Sequence, residues 1–135
     1  MRKKICIVKA NYYSDISDML LKGTLKALGK YKYADPITVP GIFEIPVTIS
    51  KLINKFDAFV ALGCVIKGET PHFDLISKAV VNGIMDLSVK SKKPIGNGII
   101  TCLNMKQAKA RSGYSSKGNK GLEASKAVIS VLNNI

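Results

Sequence analysis

The sequence predicts an α/β domain built on a doubly wound, four-stranded parallel sheet, with helices covering both faces in three layers. Two observations carry that prediction. Strand-like and helix-like segments alternate four times along 135 residues, with one more helix at the end, and this alternation is the signature of right-handed βαβ units. The segment Ala58 to Val65 is apolar without interruption, as a central parallel strand covered on both faces must be.

Lys4 to Ala10 reads as the first strand, largely buried. Ser14 or Asp15 is placed to cap the helix that follows, whose stripe of Ile16, Met19, Leu20, Ala27 and Leu28 has helical spacing, with Gly29 near its end. Ile37 to Val39 is a short second strand stopped by Pro40-Gly41, and Pro46 sits where a first-turn proline belongs, opening a helix to about Asn54. After the third strand, Lys67 to Pro71 is a loop, followed by a long helix with Phe73, Ile76, Val80, Ile84 and Leu87 on one face. Ile95 to Cys102 is the fourth strand, Asn104 to Arg111 a short helix, and Ser112 to Lys120 a Gly/Ser-rich loop. Ala124, Ala127, Val128, Val131 and Leu132 mark the buried stripe of the last helix. The expected strand order is the flavodoxin-like 2-1-3-4, in one domain over residues 1–135. Ligands of such folds lie beyond the carboxyl ends of the strands, which marks Asn11 to Ser14, Pro40 to Glu44, Ile66 to His72, and Gly96-Asn97.

Composition excludes several classes. Hydrophobic residues make up 47% of the chain, too many for disorder. No apolar run reaches the ~18 residues of a membrane span, and the start, Met1 to Ile5, has too short an apolar stretch for a signal peptide, so a cytoplasmic protein without membrane contact is expected. The formal net charge is +12, from nineteen lysines and only two arginines. The lysines are spread along the chain, unlike the clustered Arg and aromatic residues with which nucleic-acid binders read bases. They describe a solvated surface or a field that attracts anionic substrates. Three cysteines, Cys6, Cys64 and Cys102, each lie among apolar residues. That odd number resembles neither a disulfide framework nor a zinc site, and no metal is expected.

Few residues stand out as chemistry. His72 is the only histidine, and it begins a helix after the central strand. The positive end of a helix disfavours a further positive charge, and a neutral imidazole can accept a proton. A lone histidine is otherwise structural or merely exposed. Gly68-Glu69-Thr70 precedes the same helix, where backbone N–H groups suit a phosphate or carboxylate, or where the chain simply turns. No Walker pattern is present. Arg111 is the one internal arginine in a chain that elsewhere uses lysine, which points to planar, bidentate recognition such as that of phosphate. The plain reading is a lysine-like residue at a helix end. Glu44, beside Phe43, either caps the helix at Pro46 or binds a hydroxylated chain. Tyr12 and Tyr13 offer rings to stack on a flat heterocycle, or serve packing alone. These residues favour a phosphorylated small molecule and name no reaction.

Three stretches, Pro40-Gly41-Ile42-Phe43-Glu44-Ile45-Pro46, then Ala61 to Asp74 (ALGCVIKGETPHFD), and Gly118-Asn119-Lys120-Gly121, resemble the lumazine synthase family in order and spacing, and the likeness runs from about Ile5 to Asn133. The resemblance implies condensation of 5-amino-6-(D-ribitylamino)uracil with 3,4-dihydroxy-2-butanone 4-phosphate, giving 6,7-dimethyl-8-ribityllumazine, phosphate and water, with no cofactor or metal. By position it implies that Tyr12 stacks on the pyrimidine and that Ile42, Phe43 and Glu44 bind the ribityl chain. Cys64, Val65 and Ile66 would lie beside the pyrimidine, Glu69 and Thr70 on the phosphate loop, and Lys120 near the substrate. His72 would transfer protons, and Arg111 would bind phosphate. It also implies a homopentamer with active sites between subunits, where one subunit offers the phosphate-loop side and the next offers the residue at Asn97 and the arginine side. Some differences are visible. Asn97 stands where many members carry Phe, and Lys67 where Arg is frequent. The loop from Arg111 to Lys120 is one residue longer than in many members, and only Met1 to Lys3 precede the first strand, which favours a pentamer over a sixty-subunit shell. Two other readings are a non-catalytic flavin- or lumazine-binding relative, supported by Asn97, and a basic nucleic-acid-binding module, supported by the charge alone.

Overall fold

A computed structural model of the chain describes residues 4–68, 72–114 and 118–134. Strand β1 (Lys4–Ala10) leads into helix α1 (Ser14–Leu28), then two short strands, β2 (Lys32–Tyr33) and β3 (Ile37–Val39). A 3-10 turn (Ile42–Glu44) runs into α2 (Ile45–Leu52), followed by β4 (Ala58–Ile66), α3 (Phe73–Ser91), β5 (Ile95–Cys102), α4 (Met105–Arg111) and α5 (Lys120–Asn133). Every strand pair is parallel, in the order β2-β1-β4-β5, with β3 also on β1.

Among the described residues the expected four strands are five, a correction with a local cause. Lys32 opposes Lys4 and Tyr33 opposes Ile5, whereas Ile37 opposes Val8. Residues 34–36 thus face only residues 6 and 7, a one-residue bulge. Pro36 lies within it and has no N–H to give to a ladder, so it is tolerated at this sheet edge and ends pairing there. The helix starts also differ from expectation in detail. Tyr13, not Ser14 or Asp15, is the N-cap of α1 and makes no side-chain cap bond, while Asp15 lies in the first turn, where its charge suits the helix dipole. Helix α2 ends at Leu52 rather than Asn54.

The alternation of side chains across the pleat divides the core in two. Ile5, Ile7, Val60, Leu62, Cys64 and Ile66 face one side, where they meet Ile16, Leu20 and Leu28 of α1, Ala108 of α4 and Val128 of α5. Cys6, Val8, Ala10, Phe59, Ala61 and Val65 face the other, against Ile45 and Ile49 of α2 and Val80 and Ile84 of α3. Strand β4 is buried at every residue, as its unbroken apolar sequence requires. Helices α1 and α5 pack in close contact because Gly121 has no side chain: a Cβ there would lie 2.2 Å from the Leu20 carbonyl oxygen. Among the described residues no helix is long and apolar enough to cross a membrane.

Candidate active site at the carboxyl edge of the sheet

The strands end at different heights. Pairing of β1 with β4 stops at Lys9↔Leu62, but β4 and β5 continue together to Ile66↔Cys102. Residues 64–66 therefore project past β1 and have no strand alongside on that flank among the described residues. Their side chains are buried, Cys64 at 5%, Val65 at 3% and Ile66 at 1% exposure, so any ligand beside them meets main-chain N–H and C=O groups rather than side chains.

The 3-10 turn fills the step beside this overhang. Ile42 is buried there, and a Cβ at Gly63 would lie 2.7 Å from its Cγ2, so the glycine is what lets the turn close on the sheet. Phe43 is 64% exposed. The Gly41 N–H donates to Glu44 Oε1 at 2.9 Å, so the carboxylate closes the 3-10 turn; Glu44 is also the N-cap residue of α2, the place expected of it, but its side chain makes no cap bond there. A carboxylate accepts several donors, and this bond leaves capacity for a ligand hydroxyl. Phe43 and Glu44 share a concavity of about 420 Å³ with Pro46, Val47, Ala79 and Val80. Tyr12, directly after β1, is 67% exposed and its ring packs edge-on against Tyr13 at 4.9 Å.

Beyond β4 the Lys67 N–H donates to the Cys102 carbonyl at 2.8 Å, and Gly68 turns the chain with φ 84°. Glu69 and Thr70, assigned to the phosphate loop, lie outside the described residues. His72 follows as the N-cap residue of α3, in left-handed backbone geometry with φ 64° and ψ 30°. It is exposed, and its carbonyl accepts from the Ile76 N–H at 2.9 Å. Left-handed geometry is strained for a residue with a side chain and collects at functional positions. Here it sets the direction in which the imidazole leaves the helix start.

Arg111, the last residue of α4, reaches back to the sheet. Its Nη1 donates to the Thr101 carbonyl at 3.1 Å and lies 3.8 Å from Cys102 Sγ. It shares a cleft of about 350 Å³ with Thr101, Gly118, Lys120 and Glu123. Lys120 opens α5 behind the N-cap Asn119, whose Oδ1 accepts from the Leu122 N–H at 3.1 Å. The Asn119 side-chain amide donates to the carbonyls of Met19 at 2.9 Å and Ser112 at 3.0 Å, pinning the end of the loop to α1. Sequence reasoning missed Asn119, Glu123 and Thr101. Asparagine before a Lys-Gly helix start was a readable capping signal, and Glu123 is one helical turn after Lys120; nothing local marked Thr101.

Asn97 requires a correction. It was grouped with the carboxyl edge, but it is the third residue of β5, opposite Ala61, roughly 16 Å along the strand from Cys102 at ~3.3 Å per residue. It is exposed, its Oδ1 accepts from the Ile99 N–H at 3.2 Å, and it lines a separate groove of about 410 Å³ with Val89, Lys93, Pro94 and Val131. That groove is roomier than the Arg111 cleft, yet its walls are mostly apolar and it holds none of the other candidate residues. One chain thus brings Arg111 and Lys120 together, places His72 after the neighbouring strand, and leaves Asn97 apart. Among the described residues no group of three or more His, Cys, Asp or Glu side chains is arranged to hold a metal ion.

Comparison with known proteins matches the chain to one family. The family model described as 6,7-dimethyl-8-ribityllumazine synthase matches residues 2–135. A protein of that name from Cutibacterium acnes is 44% identical over 132 residues, covering 96% of this chain and 80% of the relative. One from Bartonella tribocorum is 46% identical over 134 residues, covering 95% and 89%, and one from Paenarthrobacter aurescens is 43% identical over 129 residues. With the family model spanning nearly the whole chain and relatives at this identity, the chain belongs to the 6,7-dimethyl-8-ribityllumazine synthase family.

Proposed function

We propose that this chain condenses 5-amino-6-(D-ribitylamino)uracil with 3,4-dihydroxy-2-butanone 4-phosphate to form 6,7-dimethyl-8-ribityllumazine, phosphate and water, a step of riboflavin synthesis. The observation that carries the reading is a juxtaposition. The Lys67 N–H is tied to the Cys102 carbonyl while Arg111 Nη1 is tied to the adjacent Thr101 carbonyl. The chain segment that leads to His72 therefore leaves the sheet beside the Arg111 guanidinium, with Lys120 in the same cleft.

Chemistry follows from that placement. Arg111 offers a two-pronged cation to the butanone phosphate, and Glu69 and Thr70 complete the phosphate loop. Tyr12 stacks on the uracil, Ile42, Phe43 and Glu44 line the ribityl chain, and the main chain of Cys64, Val65 and Ile66 borders the ring. The uracil amine attacks the ketone and an imine forms with loss of one water. Phosphate then leaves by elimination, and the second amine closes the ring on the carbonyl so formed, with loss of a second water. Holding two substrates in register supplies most of the acceleration, and His72 carries protons, worth about 10²-fold. No protein nucleophile, metal or cofactor takes part.

The site is completed by a second copy. Helix α3 is apolar on two sides: Val80 and Ile84 are buried in the core, while Leu75, Met85 and Val89 are exposed. Large apolar side chains grouped on the outer side of a helix mark a contact surface, and we read this one as meeting another subunit. We read the assembly as a cytoplasmic homopentamer of single-domain chains in which Asn97 of one subunit faces the His72 and Tyr12 region of the next. Mixing the protein with both substrates tests the activity through the absorbance and fluorescence of the lumazine; no product from folded protein overturns it. Light scattering tests the assembly, where a mass near five times 14.6 kDa is expected and a fully active monomer refutes it.

A further inference from the structure

Arg111 is held by two acceptors of different kinds, and only one of them depends on a side chain. Leu103 and Asn104 alone separate β5 from α4, so the helix turns straight back over the end of its own strand. Met105 and Ala108 of α4 pack in the same apolar cluster as Cys102, and Arg111, one turn after Ala108, leaves the same face of the helix. Its Nη1 donates to the Thr101 carbonyl at 3.1 Å and to Cys102 Sγ at 3.8 Å. The Cys102 carbonyl faces β4, where it accepts from the Lys67 N–H. The Thr101 carbonyl, one residue earlier, therefore faces off the edge of the sheet, because β5 ends the strand order. The main chain supplies that acceptor whatever side chain stands there; the sulfur comes from Cys102 alone. The proposed chemistry gives this side chain no task.

On the reading of Arg111 as the phosphate ligand, we propose that Cys102 is a positioning residue: its sulfur, as second acceptor on Arg111 Nη1, fixes the plane in which the guanidinium meets the butanone phosphate. One hydrogen bond is a hinge about which a guanidinium still turns. A second acceptor off that axis stops the turn. Arginine recognises phosphate with a planar, two-pronged fork, so the plane matters as well as the charge. A guanidinium ordered before the phosphate arrives does not lose that freedom on binding, which is the advantage of preorganisation. Sulfur suits the task because it is a weak acceptor: it orients Nη1 without competing for the charge as a buried carboxylate would. Both contacts fall on Nη1, which leaves the other donors of the fork for the anion. Cys102 is 1% exposed, so it acts through Arg111 and does not touch the substrate. Cys6 supplies a control, since it is equally buried but lies on the opposite face of the sheet, in the cluster formed with α2 and α3.

The test compares Cys102→Ala with Cys102→Ser, which differ by one acceptor, and with Cys6→Ala. Cys102→Ala should raise the Michaelis constant for the butanone phosphate by about 3- to 10-fold, the cost of ordering one long side chain on binding. The turnover number and the constant for the uracil should stay nearly unchanged. Cys102→Ser should recover most of the loss. Cys6→Ala should lower the melting temperature yet leave the kinetic values alone below the transition, which separates positioning from packing. The same ranking is expected for inorganic phosphate bound to the full-length protein, followed by phosphorus NMR, a readout that does not need the reaction. Lumazine formation with phosphate binding indifferent to Cys102→Ala would overturn the positioning role and leave the proposed function standing. Weaker phosphate binding in Cys102→Ala without any lumazine would do the opposite. Equal rises in both Michaelis constants, Cys102→Ser as weak as Cys102→Ala, or the same loss in Cys6→Ala would each overturn the proposal.

Discussion

The seam between α1 and α5 and the carboxyl edge of the sheet use the same kinds of residue to opposite ends. At the seam polar groups are enclosed between the helices: Asn119 spans to the Met19 carbonyl of α1, Ser125 Oγ donates within α5 to the Gly121 carbonyl at 2.7 Å, and Thr24 is fully buried, its Oγ1 without a hydrogen-bond partner among the described residues. Space is so short that a Cβ at Gly23 would lie 2.3 Å from Asn119. At the edge, Tyr12 and Phe43 are left in solvent, His72 holds a strained backbone, and Arg111 is anchored mainly by one carbonyl. Close packing that cannot yield sits apart from strain and exposure that a ligand can use, which is the usual division between stability and function. The first turn of α5 serves both regions, since Asn119 clasps the seam while Lys120 and Glu123 face the cleft.

Breaking the seam should give the largest effect. In Gly121→Ala the new Cβ meets backbone, the Leu20 carbonyl, which cannot swing aside. A loss of about 3 kcal/mol is expected, seen as a fall in melting temperature of roughly 10 °C, with lumazine formation per folded molecule little changed below the transition. If melting is unaffected, the seam is not the rigid element. His72→Ala should do the reverse: turnover falls by about 10²-fold with an unchanged melting curve, and residual activity remains because orientation survives. Arg111→Ala should raise the Michaelis constant for the phosphate substrate by roughly 10- to 100-fold, the value of a charge-assisted hydrogen bond, and that for the uracil far less. Equal effects on both substrates would remove Arg111 from the phosphate. The smallest effect sharpens the contrast most. His72→Gly should lose activity as alanine does yet gain about 0.5–1 kcal/mol in denaturant unfolding, because glycine accepts φ 64° without strain. A loss of stability would mean that the imidazole, and not the helix start, is what the fold needs there.

What could be read in the sequence was whatever depends on a residue and its near neighbours. The apolar runs of β1, β4 and β5, the proline opening α2 and the short helix placed at about Asn104 to Arg111 all act within a few residues, and the structure has them, the last as Met105–Arg111. The bulge between β2 and β3 was not legible, since it is defined by a register against β1 rather than by Ala34-Asp35-Pro36 themselves. Asn97 was misplaced for a related reason: the rule names the ends of strands, and Gly96-Asn97 falls at the wrong end of a strand whose limits were otherwise correct. The helix start at His72 was visible in the spacing; its left-handed backbone was not, because histidine carries no preference strong enough to announce it.

The parallel register of β1 on β4 also sets a timetable. Ile5 pairs with Ala58, so on the ribosome β1 emerges about fifty residues before its central partner, a gap of roughly three to ten seconds at ordinary synthesis rates of ~5–20 residues per second. The bulged pair β2 and β3 arrives sooner but offers only short ladders of two and three residues. Through that interval Ile5, Ile7 and Val8 have no completed sheet to enter, and the nascent chain must be kept from pairing with another copy of itself. The lysines at positions 4 and 9, which bracket the strand, are the charged flanks that discourage such pairing.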